Sequence, residues 1–210
     1  MPRHSWTAAG MAAALAIVAA TPAWAGWEAA NAALDRGDYE TAFQEFTALG
    51  EQGDPDAQYN VGVFYLDGLG VALDHTQAAR WFRAAAEQGH GKAQFNVAEM
   101  YFRGDDVVQD FAEAARWYRA AADQGLPPAQ SRLGELYVEG NGVAQDYTEA
   151  VRWFVLAADQ GHANAQGWLG YMHENGYGVP LDLVEARRRY REAAGRDDGY
   201  AAEQLQRFGE

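Results

Sequence analysis

The sequence predicts an all-α chain built as an α-solenoid, and three observations predict it. A pattern of 36 residues recurs, with AQYNVG, AQFNVA, AQSRLG and AQGWLG opening at Ala57, Ala93, Ala129 and Ala165. Each is followed by a second matching segment: HTQAARWFRAAAEQG, FAEAARWYRAAADQG, YTEAVRWFVLAADQG and the more divergent LVEARRRYREAAGRD. Third, 49% hydrophobic residues with 13% aromatics supply a continuous core to a 210-residue chain. A period near 36 made of two helical patterns marks units that bury their apolar faces only against their neighbours.

The elements follow in order. Residues 1–25 read as an export signal: Arg3 gives a positive start, Ala8 to Ala20 is uncharged and apolar, and Ala23-Trp24-Ala25 supplies small residues for cleavage after Ala25. The apolar run is shorter than the roughly 20 residues a spanning helix needs, so no stable membrane insertion is expected after cleavage. The expected location is the periplasm or the exterior. Residues 26–53 then form a helical hairpin over Trp27 to Leu34 and Asp38 to Leu49, shorter than the later ones. Its second half keeps the register, with Ala42 and Gly53 one period before Ala78 and Gly89.

Four 36-residue units fill residues 54–196. In each, a first helix of about eleven residues, such as Ala57 to Asp67, starts at Asp54-Pro55, Pro127-Pro128 or Asn164. It ends at Gly68, Gly104, Gly140 or Gly176. A G-x-G-V turn follows, whose second glycine is replaced by Asp106 in the second unit. The second helix opens at Asp74, Asp110, Asp146 or Asp182, and Gln77, Glu113, Glu149 and Glu185 stand at capping-box spacing behind them. Trp81-Phe82, Trp117-Tyr118 and Trp153-Phe154 fill the space between units, and Gly89, Gly125 and Gly161 close the helix. Residues 197–210 form a capping helix from Asp198 to Phe208 with Tyr200, Leu205 and Phe208 turned inward. Arg187, Arg188, Arg189 and Arg191 form a solvated end face.

AQYNVGVFYLDGLGVALDHTQAARWFRAAAEQG resembles the Sel1-like repeat family, a relative of the tetratricopeptide repeats. The A-Q start, the G-x-G-V turn, the Asp cap, the A-x-x-W-aromatic step and the final Q-G occur together over roughly residues 54–196, while residues 26–53 are closer to a tetratricopeptide unit. The resemblance implies a right-handed superhelix whose first helices line a concave surface. It also implies an adaptor in bacterial envelope processes, signalling or complex assembly, one that binds a protein or peptide and is not an enzyme.

Composition narrows the alternatives. The net charge is −14, or −15 once Arg3 is removed with the signal, and Lys92 is the only lysine. No basic stripe exists for nucleic acid. There is no cysteine, hence no disulfide and no lipid-modified anchor. His75, His90, His162 and His173 lack metal-ligand spacing, and the G-x-G turns follow helices, so neither metal nor other cofactor is expected. Some exported, cysteine-rich family members were described as binding penicillins or hydrolysing β-lactams. Here the mature chain holds one serine, Ser131, and no S-x-x-K. A cell-wall or β-lactam-related hydrolase or binding protein, with Glu99 and Glu135 as the carboxylates available for hydrolysis, and a structural subunit of an envelope assembly stand as second readings.

Recurring positions hold the fold, so the first-helix positions that vary between units are free to meet a partner. Three columns at helical spacing share one face: Asn60, Asn96, Arg132 and Trp168; Val63, Glu99, Glu135 and Tyr171; Asp67, Arg103, Glu139 and Asn175. Trp168 and Tyr171 lead, because aromatics supply much of the energy at interfaces.

Overall fold

The computed structural model describes residues 23–105, 107–196 and 198–209. Most of the export signal and the Asp106 turn position lie outside the described residues. Among the described residues there are eleven helices and no strand. They are α1 (Ala23–Asp35), α2 (Tyr39–Glu51), α3 (Pro55–Asp67), α4 (His75–Glu87), α5 (Gly91–Arg103), α6 (Phe111–Asp123), α7 (Pro127–Glu139), α8 (Tyr147–Asp159), α9 (Ala163–Asn175), α10 (Leu183–Ala194) and α11 (Gly199–Arg207). Each packs chiefly on the helices before and after it, the arrangement of an α-solenoid. The N-terminal hairpin is not shorter than the others: α1 through α9 all run 13 residues. Cleavage after Ala25 would remove Ala23, Trp24 and Ala25 from α1.

The core is small side chains facing rings. Ala78, Ala114, Ala150 and Ala186 are all buried, as are Phe82, Tyr118, Phe154 and Tyr190. A Cβ at Gly62, Gly134 or Gly170 would fall 2.6 to 2.7 Å from the ring of Phe82, Phe154 or Tyr190, so the first helix yields a side chain to let the ring of the second helix lie flat on it. In the second unit Ala98 takes that position against Tyr118.

Helix ends use local devices. Gly68, Gly104, Gly140 and Gly176 end the first helices in the left-handed conformation. The turn's second glycine also permits close approach between units. At Gly142, with φ at +71°, a Cβ would fall 2.1 Å from the Phe111 carbonyl of the preceding unit. Each Asp cap accepts backbone N–H bonds, as Asp146 does from Thr148 and Glu149 at 2.9 and 3.0 Å. The reciprocal half of the capping box is absent. The N–H of Asp74, Asp110, Asp146 and Asp182 instead donates to the carbonyl of Tyr65, Tyr101, Tyr137 and His173, which ties the second helix back to the first. Freed of that duty, Glu113, Glu149 and Glu185 pair with Arg116, Arg152 and Arg188 one turn later.

The fourth unit starts at His162, not Asn164. His90 and His162 cap α5 and α9 through Nδ1, which accepts the N–H of Ala93 and Ala165 at 3.1 and 3.3 Å.

The A-Q and Q-G signatures meet within each unit and reach back to the carbonyls of the unit before. Gln124 Nε2 donates to Gln94 Oε1 at 2.8 Å and to the Gly89 carbonyl at 2.9 Å. Gln94 in turn donates to the Ala86 carbonyl at 3.2 Å. The same pairing joins Gln88 to Gln58 and Gln160 to Gln130, at 2.8 and 3.0 Å. The ladder stops at the fourth unit, where Arg196 stands one period after Gln160. Arg196 still reaches the Gly161 carbonyl, but Gln166 Oε1 is left buried without a hydrogen-bond partner.

Candidate partner-binding groove

The variable first-helix residues of units two to four are joined into one row. Arg132 donates to Glu99 through Nε at 3.0 Å and to Glu135 through Nη1 at 2.8 Å. Glu99 also accepts from Arg103 at 2.7 Å and from the buried Tyr118 hydroxyl at 2.5 Å. Glu135 accepts the Trp168 indole N–H at 3.2 Å. Trp168 stacks on Phe154, 5.5 Å between centroids and 3° from parallel, and meets Tyr171 edge-on at 5.7 Å. Tyr171 is followed by Tyr177, which stacks on Tyr147 at 4.7 Å.

The remaining members lie beside this row or apart from it. Asn96 lines, with Glu99, Arg103 and Arg132, a cavity of about 720 Å³ floored by Phe82 and Phe95. Glu139 is exposed and accepts from Asn141, while Asn175 donates to the Tyr171 carbonyl. In the first unit Asn60 is turned onto its own helix, bonded to the Asp56 carbonyl, and Val63 packs into the core between units. Asp67 is exposed.

Electrostatics divide the row into a neutralised middle and an aromatic end. Burial pushes the Glu135 carboxyl upward, against the pull of Arg132. Tyr118 is raised, by burial first and then by its bond to Glu99. Glu99 and Glu135, the two carboxylates that a hydrolytic reading needs, are both committed to Arg132. Among the described residues no group of three His, Asp or Glu side chains gathers as metal ligands.

Two expectations for the C-terminal end change. The arginine end face is solvated only in part: Arg188 and Arg191 are exposed and Arg187 and Arg189 half-buried, and Arg188 and Arg189 bond Glu185, whose carboxyl is held down at about 2, mainly by Arg188. Arg187 lies under the Phe208 ring, 4.9 Å from its centroid. Tyr200 is not turned inward but 47% exposed, and it joins Trp168 and Tyr171 around a cavity of about 280 Å³. Tyr200, Asp198 and Gly167 escape the column reading. The last is detectable in the sequence, as a glycine in a column that otherwise reads Tyr59, Phe95 and Ser131.

The Sel1 repeat model matches residues 55–90, 91–126, 127–162 and 163–198 in uninterrupted succession. This chain belongs to the Sel1 repeat family. Sel1 repeat proteins mediate protein–protein interaction and are generally non-catalytic scaffolds. Among solved structures, a protective antigen present in uropathogenic Escherichia coli strains is 42% identical with a TM-score of 0.74. That match covers 78% of this Sel1 repeat chain and 35% of the antigen, so the chain spans about a third of its length. A Sel1 repeat protein from Oxalobacter formigenes is 36% identical over 85% of this chain and 70% of its own, with a TM-score of 0.77. MamA from Desulfovibrio magneticus shares the fold alone, at 18% identity and a TM-score of 0.52 over 84% of this chain and 97% of its own. No functionally curated protein matches the chain.

Proposed function

We propose that this Sel1 repeat chain is a non-enzymatic adaptor of the bacterial cell envelope, exported by its N-terminal signal with cleavage after Ala25, and that it holds a protein or peptide partner against its first-helix face. The observation that carries the reading is the row from Arg103 through Glu99, Arg132, Glu135 and Trp168 to Tyr171. These residues sit in columns that vary along the array, while the residues that repeat are consumed by caps, ring packing and the glutamine ladder. The charged middle suits polar contacts that fix register, and the aromatic end suits an anchor. Among the described residues no helix is long and apolar enough to cross a membrane.

A photo-crosslinker at position 171 in the producing cells, followed by mass spectrometry, should yield a discrete adduct that the same probe at exposed Glu203 does not. Trp168→Ala should lower affinity for the crosslinked protein at least tenfold. Because Trp168 also packs on Phe154, Arg103→Ala serves as a second variant that spares the core. If neither substitution changes affinity while both variants stay folded, the groove assignment fails.

A further inference from the structure

Position 167 breaks its column, and the break opens space. Tyr59 stacks on His90, the cap of the next unit, at 4.6 Å, and Phe95 packs on Tyr118 at 5.7 Å. Ser131 turns its hydroxyl to Asn164 at 2.8 Å. Gly167 offers no side chain, and the next cap is Asp198, where the earlier units have His90, Leu126 and His162. At the position where Tyr59 of the first unit meets its cap, a cavity of about 280 Å³ lies between α9 and α11, bounded by Trp168, Tyr171, Tyr200 and Asp198, with Val138 of α7 at its edge.

The chemistry of its wall is one-sided. Asp198 Oδ1 is engaged by the Ala201 N–H at 2.8 Å, whereas Oδ2 stands 3.2 Å from where a Cβ at position 167 would be. No basic side chain lines this cavity, in contrast to the larger one, which carries Arg103 and Arg132. Aromatic faces are the negative end of the ring quadrupole and attract cations within about 6 Å of the centroid. Trp168 gives its N–H to the Glu135 carboxylate, which enriches the indole further.

We propose that this cavity receives the guanidinium of an arginine side chain presented by the partner. The inference rests on the groove reading above and names the partner's chemistry: a basic segment with one arginine anchor. A planar cation that stacks on rings while donating to a carboxylate matches three aromatic walls and Asp198 Oδ2 better than a compact ammonium does. The net charge of −14 draws such a segment toward the chain before it docks.

The test uses the signal-free chain and small probes, read by the indole N–H resonance that disappears in Trp168→Phe. N-acetyl-arginine methylamide should shift that resonance saturably, and its citrulline counterpart, equal in shape and uncharged, should bind at least tenfold more weakly. Asp198→Asn keeps a helix cap but loses the charge. It should weaken the arginine probe about tenfold with an unchanged thermal midpoint, and Tyr200→Ala should weaken it similarly. Equal binding of citrulline, or an unaffected Asp198→Asn variant, overturns the assignment. Tighter binding of tetramethylammonium also overturns it, pointing to a free quaternary amine. If the cavity ignores arginine while the partner crosslinked at position 171 still depends on Trp168, the arginine anchor falls and the groove reading survives. Loss of both removes the two together.

Discussion

His90 and His162 each aim Nδ1 at a backbone N–H, so each caps its helix only while that nitrogen is unprotonated. Burial is the leading cause that lowers both titrations below the ordinary 6.5, outweighing Asp56 beside His90 and Asp198 near His162. The unfolded chain then binds more protons than the folded one as the pH drops, so stability rises with pH in that range. The contribution is complete above about pH 6.5 and is lost as the pH falls below it through the folded values. The slope reaches at most about 1.4 kcal/mol per pH unit for each histidine. Urea midpoints measured from pH 7.5 to 5 should show the fall, and the double variant His90→Asn, His162→Asn, which keeps a capping side chain, should flatten it. An unaltered slope in that variant would place the effect elsewhere. Neither cap is legible in the sequence, because histidine is an uncommon helix cap and its role depends on the ring turning back onto its own helix.

At the scale of the element, the turn glycines separate two costs that look alike in sequence. Gly125 and Gly142 both have positive φ, at +85° and +71°, but a Cβ at Gly125 meets nothing within 4 Å, whereas one at Gly142 meets the Phe111 carbonyl. Gly125→Ala should cost about 1 to 2 kcal/mol, the strain of the left-handed conformation alone. Gly142→Ala should cost roughly 2 to 4 kcal/mol, since the turn must also move off the preceding unit. Equal losses in chemical denaturation would show that the contact relaxes freely. Helix ends of this kind are legible beforehand because glycine, proline and aspartate act within a turn of where they stand. The second half of the capping box is not: Glu113, Glu149 and Glu185 have the right spacing, but the cap N–H is taken by a carbonyl from the first helix. A tertiary contact overrides the local one. The groove columns are legible for a similar reason, since a repeat displays its own exceptions. Gly167 shows the limit: the glycine stands out in its column, but its effect needs the cap of the next unit in place.

At the scale of the whole molecule, stability is a sum over units and their junctions. The junctions here are nearly identical, with Gln94, Gln130 and Gln166 donating to the carbonyls of Ala86, Ala122 and Ala158 in the unit before. Inserting a second copy of residues 91–126 after Leu126 should therefore give a folded chain with proportionally more helical signal and a thermal midpoint no lower than the parent's. A split or lowered transition would show that the units are not interchangeable. The aromatic end would then be displaced by one unit from the N-terminal hairpin. The cavity beside Gly167 would keep its arginine preference, because its lining runs from Val138 to Tyr200, wholly beyond the point of insertion.

The broken rung at Arg196 bears on how such an array can change length over generations. A duplication of one whole interior period carries its own glutamine pair intact. A copy of the fourth period would carry its own Arg196, and with it a second Gln166 whose buried side-chain oxygen lacks a donor. Lineages descended from this chain are expected to grow from the interior and to keep their last unit last.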